Sequence, residues 1–210
     1  LWTWHFREVN AAMPPPSADI LLPARGRFDL RATVLSHAGW RLPPWQWTDG
    51  ARPVLRRAEA LADGSVRLLT IRPAPGGVVL RVTGCNAAEP EILAPLAARV
   101  RSALQLDLDL APFHRWCRSR SALRPIAPLG LGRLLRGTTL FEEVVTAIVR
   151  QDTPWPATVA SMSGLARLGA RYPADRRLRA FPSPERIAHA GVARLRRLGL
   201  GTRAPFVIGL

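Results

Sequence analysis

The spacing of hydrophobic residues changes near residue 84 of this 210-residue chain. Before that point, three short hydrophobic runs are separated by Asp63-Gly64 and by a segment rich in proline and glycine. Runs of this length between turn signals predict the strands of an antiparallel β meander. The predicted strands cover residues 54–58, 66–72 and 78–83.

A further strand is predicted ahead of the meander, where Phe28, Leu30 and the run over residues 33–35 are hydrophobic. A loop follows whose three tryptophans lie among turn-forming residues: Trp40, Trp45 and Trp47. Such side chains can stack on nucleic-acid bases, but in a loop of a β domain they more often pack against the protein. We therefore expect packing.

After residue 84, hydrophobic residues recur every three or four positions, which is the spacing of amphipathic helices. Ser183-Pro184-Glu185 predicts one helix start, with an N-cap, a proline and an acid in the first turn. A last helix is expected near Thr202. The other predicted helices cover residues 89–104, 110–118, 140–150, 156–168 and 191–198. A meander followed only by helices predicts the α+β class.

Three segments are predicted along the chain. Residues 1–19 contain the prolines at 14–16 and are expected to be an extension or linker. Residues 20–105 are expected to form an N-terminal β-rich domain, in which an antiparallel sheet has flanking helices. Residues 106–210 are expected to form a helical domain.

The clearest local signals lie within residues 136–155. Thr139 precedes Glu142 by three positions, which is the pattern of a capping box. The helix that follows is expected to end at Arg150, because a proline comes four residues later. Three polar residues follow the helix directly: Gln151, Asp152 and Thr153. The pattern alone favours an ordinary core helix and turn, and it also fits a turn that probes DNA.

The formal net charge of +15 predicts a polyanionic partner, because a basic surface gains affinity by displacing counterions from phosphates. All thirty basic residues are arginine, and GC-rich coding produces the same bias without any nucleic-acid partner. Residues 1–105 hold 13 arginines and 8 acids, whereas residues 106–210 hold 17 and 7. The helical half, at net +10 against +5, is therefore the more basic one.

Composition disfavours several classes of protein. No hydrophobic run of about eighteen residues is present, so no membrane-spanning helix is expected. The first residues lack the pattern of a signal peptide. Cys85 and Cys117 are too few for a disulfide framework, and with four scattered histidines they match no metal-ligand spacing. We expect a cytoplasmic protein that needs no metal and no nucleotide cofactor.

Three phrases occur in one order along the chain: RFDLRATVLSHAGW at residues 27–40, LFEEVVTAIVRQDTPWPA at 140–157 and LRRLGLGTRAPFVI at 195–208. They resemble the FDL..T...G, LFE..V..I...NT.WA and LGLGYRA segments of the helix-hairpin-helix DNA glycosylases, the relatives of 3-methyladenine DNA glycosylase II and 8-oxoguanine DNA glycosylase. The resemblance covers roughly residues 20–210.

This resemblance implies hydrolysis of the N-glycosidic bond of a damaged base in double-stranded DNA, by a monomer. Asp152 would then occupy the gap that a flipped base leaves, flanked by Gln151 and Thr153. An Asp in place of the family's Asn either accepts a hydrogen bond from the estranged base or marks a lost function. Thr202 replaces a Tyr that wedges the duplex. Arg203 matches the Arg that reaches the orphaned base or a phosphate.

The family resemblance also implies where catalysis should reside. In the family, an Asp after the DNA-binding hairpin stabilises positive charge on the sugar, and bifunctional members add a hairpin Lys. Gly199-Leu200-Gly201 could itself be a hairpin turn, but its phrase places it one helix earlier, which we prefer. We therefore expect an incomplete helical domain with no catalytic residue up to Leu210. The alternatives are a non-catalytic DNA-binding or lesion-sensing module and a degenerate fragment.

Overall fold

An antiparallel sheet precedes a set of helices in the computed structural model, which describes residues 15–210. The strands are β1 (Ser17–Pro23), β2 (Gln46–Thr48), β3 (Val54–Ala60), β4 (Val66–Ala74), β5 (Gly77–Thr83), β6 (Arg171–Tyr172) and β7 (Asp175–Arg179). The α-helices are α1 (Leu30–Val34), α2 (Pro90–Ala103), α3 (Ala111–Arg118), α4 (Leu140–Arg150), α5 (Trp155–Ala166), α6 (Pro184–Leu195) and α7 (Ala204–Ile208). This order confirms the predicted α+β class.

Five antiparallel strands form the main sheet, in the order β1-β5-β4-β3-β2. The meander β3–β4–β5 confirms the strands predicted from the hydrophobic runs. Along β5, Val78, Leu80 and Val82 are fully buried while Arg81 is exposed, as expected for a strand with one face on a core. That core lies between the sheet and the helices α1 and α2.

The edge strand β1 is not predicted by the hydrophobic pattern. It pairs with β5 along its whole length. Residues 17–19 belong to this strand, although the prolines upstream suggest an extension that continues to residue 19. Residues 1–14 of that extension lie outside the described residues. Ala18 and Leu22 of β1 are buried and Ile20 is half-buried, but the exposed Leu21 between them is also hydrophobic, so the sequence shows no clean alternation.

The strand predicted over residues 28–35 is wrong, because most of this segment forms the helix α1. The Asp29 side chain caps the helix by accepting a hydrogen bond from the Ala32 backbone N–H at 2.7 Å. The buried residues of α1 lie three and four positions apart, on one helical face: Leu30, Thr33 and Val34. Helical spacing therefore outweighs the β-branched content of this segment.

Most predicted helices are confirmed. Helices α2 to α5 have bounds within two residues of the predicted ones. Ser183 caps α6 as predicted, since its hydroxyl accepts a hydrogen bond from the Arg186 N–H at 3.4 Å. The helix predicted over residues 191–198 is instead the end of α6, whose backbone is interrupted at Gly191 (φ 70°, ψ 164°). A π-type turn over Arg196–Leu200 follows.

A second hydrophobic core joins α4, α5, α6 and α7. The hairpin β6–β7, which is not predicted by the hydrophobic pattern, links this half to the sheet. Tyr172 and Ala180 at the hairpin pack with Ala58 and Val66 of the main sheet. The helical half is thus held against the β domain on one side by this hairpin.

Candidate nucleic-acid interface

A tight turn connects α4 to α5 and is made of the three polar residues predicted to contact DNA. The Thr139 hydroxyl caps α4 by accepting a hydrogen bond from the Glu142 N–H at 3.2 Å. The helix ends at Arg150, as predicted. Asp152 then adopts a left-handed backbone conformation with φ 47°, which Asp and Asn tolerate better than other non-glycine residues. The next helix begins at Trp155, so Asp152 lies at the tip of the turn.

Arg203 holds this turn to the start of α7. Its Nη1 donates to the carbonyl oxygens of Val149 and Gln151, each at 3.4 Å, and to the Thr153 hydroxyl. Its Nε donates to the Leu200 carbonyl oxygen at 3.4 Å. The last carbonyl groups of a helix have no partner inside it, and a cation at this end is favourable. Arg203 therefore caps the C-terminus of α4.

Exposure separates the five predicted contact residues into two groups. Gln151, Asp152 and Thr202 are exposed, whereas Thr153 and Arg203 are half-buried. Within the described part of the chain, the Nη2 atom of Arg203 has no hydrogen-bond partner. Arg203 therefore positions the turn, and Nη2 is the part of its guanidinium left to reach a phosphate or a base.

The segment before α7 packs closely against α5. The Gly199 carbonyl oxygen accepts a hydrogen bond from the Ser161 hydroxyl at 2.8 Å, and Gly199 has a φ of 95°, which a side chain would strain. A methyl group added at Gly164 of α5 would lie 2.7 Å from the Leu198 carbonyl oxygen. This close approach fixes Arg203 relative to α5 and hence to the turn at its start.

A buried ion network joins α4 to the sheet. Arg57 of β3 is 1% exposed, and it donates through Nε to Glu59 at 2.8 Å and through Nη2 to Glu142 at 2.9 Å. The Thr138 hydroxyl contacts both carboxylates at 3.1 to 3.3 Å. The Trp45 ring centre lies 4.4 Å from the guanidinium carbon. Although burial opposes the charge, the two carboxylates raise the pKa of Arg57 above its ordinary value.

This network is not foreseen by the sequence pattern. The capping box predicts that the Glu142 carboxylate returns to the Thr139 backbone, but it binds Arg57, which lies 85 residues away. Of the two hydrogen bonds of a capping box, only the one from the Glu142 N–H to the Thr139 hydroxyl is formed. The expectation that the tryptophans pack is confirmed, because Trp45 is buried and Trp40 and Trp47 contact the first core.

A second buried arginine ties the segment before α4 to the β domain. The Arg133 guanidinium is almost fully buried and donates to four backbone carbonyl oxygens at 2.7 to 3.1 Å. These acceptors belong to Arg25, Arg27, Gln105 and Leu108. Burial lowers the pKa of Arg133. The hydrogen bonds compensate for that burial and fix the chain as it enters α4.

The arginines of the two halves of the chain differ in their partners. Among residues 15–210, the arginines found in ion pairs are Arg25, Arg31, Arg57, Arg81, Arg99, Arg101 and Arg177. Only Arg177 of these comes after residue 105, although that half of the chain holds 17 arginines. Most of the others there are exposed. Their charges are therefore available to an external anion, which composition alone does not establish.

The acidic residues of the helical half are mostly bound within the protein. The four that pair with arginines are Asp107, Asp109, Glu142 and Asp175. Glu143 accepts a hydrogen bond from the Gly137 N–H, and the Ser183 hydroxyl lowers the pKa of Glu185. Asp152 is exposed and forms no ion pair within residues 15–210. It is thus the accessible carboxylate at the predicted DNA contact.

Over residues 15–210, no three His, Cys, Asp or Glu side chains are grouped so that they could hold a metal ion. No helix in this range is both long and apolar enough to cross a membrane. Cys85 and Cys117 are buried and are not joined in a disulfide.

Comparison with known proteins defines the fold. No protein-family model and no curated protein matches the sequence. Among solved structures, 3-methyladenine DNA glycosylase from Archaeoglobus fulgidus matches 91% of this chain with a TM-score of 0.70 and 21% identity. The chain has a DNA glycosylase fold. This confirms, at the level of fold, the resemblance carried by the three phrases.

Two further solved structures match a smaller share of the chain. MBOgg1, in complex with a low-affinity DNA ligand, matches 78% of the chain with a TM-score of 0.50 and 18% identity. The apo form of the Clostridium acetobutylicum 8-oxoguanine glycosylase/lyase matches 80% with a TM-score of 0.49 and 12% identity. The chain spans 65%, 63% and 65% of the lengths of these three structures, which is less than two thirds in each case.

Proposed function

We propose that this protein acts in DNA base excision, as a DNA glycosylase or as the DNA-binding part of one. The reaction is hydrolysis of the N-glycosidic bond between a damaged base and its sugar in double-stranded DNA. The observation that carries the proposal is the exposed turn at Asp152, held by Arg203 at the end of α4, within a glycosylase fold. The DNA ligand in the MBOgg1 complex supports the same partner.

Base extrusion explains why such a turn is useful. Taking a base out of the duplex costs a few kcal/mol, and the gap that it leaves must be stabilised. The turn of Gln151, Asp152 and Thr153 suits this task because its backbone is fixed before DNA arrives. Arg203 binds it from one side, and the Thr153 N–H donates to the Arg150 carbonyl oxygen at 3.2 Å. A preformed turn loses little conformational entropy on binding.

The carboxylate at the tip sets a preference for its neighbour in DNA. An ionised Asp152 can only accept hydrogen bonds, so it favours an orphaned base that presents an amino group, such as cytosine. Its charge opposes nearby phosphates, and the Nη2 donors of Arg203 offset part of that repulsion. Thr202 adds a hydroxyl that can donate to DNA but provides no ring for stacking.

The charge distribution supports a duplex rather than a small ligand. The unpaired, exposed arginines of the helical half can replace the counterions of several phosphates at once. Since the ion-paired arginines are concentrated in the β domain, most of the unpaired positive charge lies on the half that carries the turn. A steep dependence of affinity on salt follows.

We assign no catalytic group within residues 15–210. A carboxylate that stabilises positive charge on the sugar must be preorganised beside the glycosidic bond. Most carboxylates of the helical half are instead held by arginines or by backbone N–H groups. A non-catalytic, lesion-sensing module is the second candidate, and the same pairing of carboxylates favours it.

Insertion of the turn into a gap in DNA tests the proposal. The probe is a duplex that carries an abasic analogue opposite 2-aminopurine. The fluorescence of 2-aminopurine rises when this base loses its stacking partners. We expect the protein to raise this fluorescence, and Asp152→Asn to bind the duplex more tightly because repulsion from phosphates is relieved. Asp63→Asn removes the same charge from an exposed turn of the β domain and is the matched control.

The outcome that opposes the proposal is equally specific. If wild type and Asp152→Asn bind intact and abasic duplexes with equal affinity, and the 2-aminopurine signal does not change, the turn does not enter DNA. An equal gain of affinity in Asp152→Asn and Asp63→Asn would show that only net charge matters.

A further inference from the structure

Arginines are concentrated at the C-terminal end of α5 and on the hairpin that follows. Residues 167–179 include Asp175 as their only acid, together with five arginines: Arg167, Arg171, Arg176, Arg177 and Arg179. In the hairpin, Arg171 of β6 pairs directly with Arg179 of β7. Like charges directly opposite each other in a sheet are destabilising, so the fold keeps this arrangement at a cost in stability.

Arg179 organises the base of this region. Its Nη1 donates to the carbonyl oxygens of Arg167 at 3.0 Å and Gly169 at 3.1 Å, which fixes the end of α5 against β7. Burial, together with the positive charges of Arg171 and Arg167, lowers the pKa of Arg179. Arg179 therefore joins the end of α5, through the Arg167 carbonyl oxygen, to the strand pair that carries Arg171.

The other four arginines face solvent, and we call them the distal arginine surface. The Arg177 side chain is 94% exposed, and its ion pair with Asp175 spans 3.4 Å. An exposed pair of this kind is weak. Arg167, Arg171 and Arg176 are exposed and form no ion pair within residues 15–210. The surface is thus left almost entirely without neutralising carboxylates.

A groove of about 240 Å³ lies beside this surface, between α5, β7 and the segment around β2. Its lining includes Arg167, Arg177, Arg179, Gln46 and Ser163. All five side chains carry hydrogen-bond donors. Planar guanidinium groups bind phosphate oxygens in a bidentate way. The polar side of the groove is therefore suited to a phosphate group. The rest of its lining is apolar: Pro43, Pro44, Trp45, Ala166 and Leu178.

The distal arginine surface is separate from the turn at Asp152. Helix α5 begins beside that turn and has 12 residues, so its two ends are about 18 Å apart at 1.5 Å per residue. Protein interfaces have a hydrophobic core, but none of the large exposed hydrophobic residues lies within residues 163–179. A polyanion fits this surface better than another protein does.

We propose that the distal arginine surface is a second DNA-binding region, which binds backbone phosphates without reading sequence. This inference rests on the proposed function, because it takes DNA as the partner. The surface adds affinity for any duplex, whereas the turn at Asp152 supplies the preference for a damaged site. The two contributions are therefore separable by mutation.

The test variant is Arg176→Gln/Arg177→Gln, which removes two exposed charges whose one ion pair, within residues 15–210, is the weak Arg177–Asp175 pair. Each lost phosphate contact makes the plot of log Kobs against log salt less steep by about 0.9, so we expect a change of about 1.8. The preference for an abasic over an intact duplex should stay as in wild type. Arg52→Gln/Arg56→Gln, at positions of the β domain that are exposed and unpaired within residues 15–210, makes the same change in net charge and is the matched control.

The outcomes distinguish this inference from the proposed function. A wild-type salt slope in Arg176→Gln/Arg177→Gln, with DNA binding by wild type intact, overturns the distal surface and leaves the proposed function standing. An equal fall of slope in the β-domain control assigns the effect to net charge and also overturns it. Absence of DNA binding by folded wild-type protein overturns both.

Discussion

Removing one carboxylate from the buried ion network should destabilise the whole chain. Glu142→Gln keeps the shape of the side chain but leaves the Arg57 guanidinium, which is 1% exposed, with Glu59 as its one full carboxylate partner in the network. Glu59 is already shared with Arg99, whose Nη1 lies 2.7 Å from it. The charge of Arg57 would therefore be only partly compensated.

The expected loss follows from the burial of this pair. Breaking a buried ion pair by removing one partner costs about 3–5 kcal/mol. Since Glu59 stays at 2.8 Å from Arg57 Nε, we expect the lower end, about 3 kcal/mol. For a chain of this size, that loss lowers Tm by about 6–12 °C, at about 2–4 °C per kcal/mol.

Urea unfolding followed by far-ultraviolet circular dichroism and by tryptophan fluorescence measures this loss, because Trp45 lies against the Arg57 guanidinium. The matched control is Asp49→Asn, which breaks an equally short pair, Arg31–Asp49 at 2.9 Å, on the surface. We expect no resolvable change in the control. A loss below about 1 kcal/mol in Glu142→Gln would refute the view that this network holds α4 to the sheet.

Two further results are expected. Gly164→Ala should lower the free energy of unfolding in urea by about 1–3 kcal/mol, because its methyl group would lie 2.7 Å from the Leu198 carbonyl oxygen. The control Ser163→Ala, at an exposed neighbouring position, should not change the free energy of unfolding. Equal stability of both variants would contradict the close packing. The 210-residue chain should release no base from duplexes with alkylated purines or 8-oxoguanine, because most carboxylates of its helical half are held by arginines or by backbone N–H groups. Such chemistry without a preorganised group is slower on the order of 10²-fold or more. Multiple-turnover release would contradict this and make Asp152 the first carboxylate to mutate.

Local signals were sufficient to predict the elements that carry the candidate site. A capping Thr139, a hydrophobic helical face and Pro154 define α4 at both ends, because caps and proline act within a few residues. The phrases also single out Asp152 and Arg203 as candidates. Their joint role, in which Arg203 caps α4 and holds the turn, depends on the packing of residues 198–200 against α5, which spacing does not encode.

The features that the sequence does not predict depend on distant partners or on weak alternation. Arg57 forms an ion pair with Glu142, which lies 85 residues away along the chain, and Arg133 donates to carbonyl oxygens as far as 108 residues away. No local pattern marks either residue as buried. In β1 the exposed Leu21 interrupts the alternation of hydrophobic residues, and the hairpin β6–β7 has few buried positions. β1 is a strand because it pairs with β5, and the hairpin packs against the main sheet.

DNA binding by the folded chain tests the central claim most directly. Fluorescence anisotropy compares an intact duplex with one that carries an abasic analogue, at several salt concentrations between about 50 and 200 mM. We predict an affinity that falls steeply as salt rises, with tighter binding to the abasic duplex at every concentration. Undetectable binding, or binding that is independent of salt and of the lesion, would contradict the assignment to DNA base excision and leave GC-rich coding as the reason for the arginines.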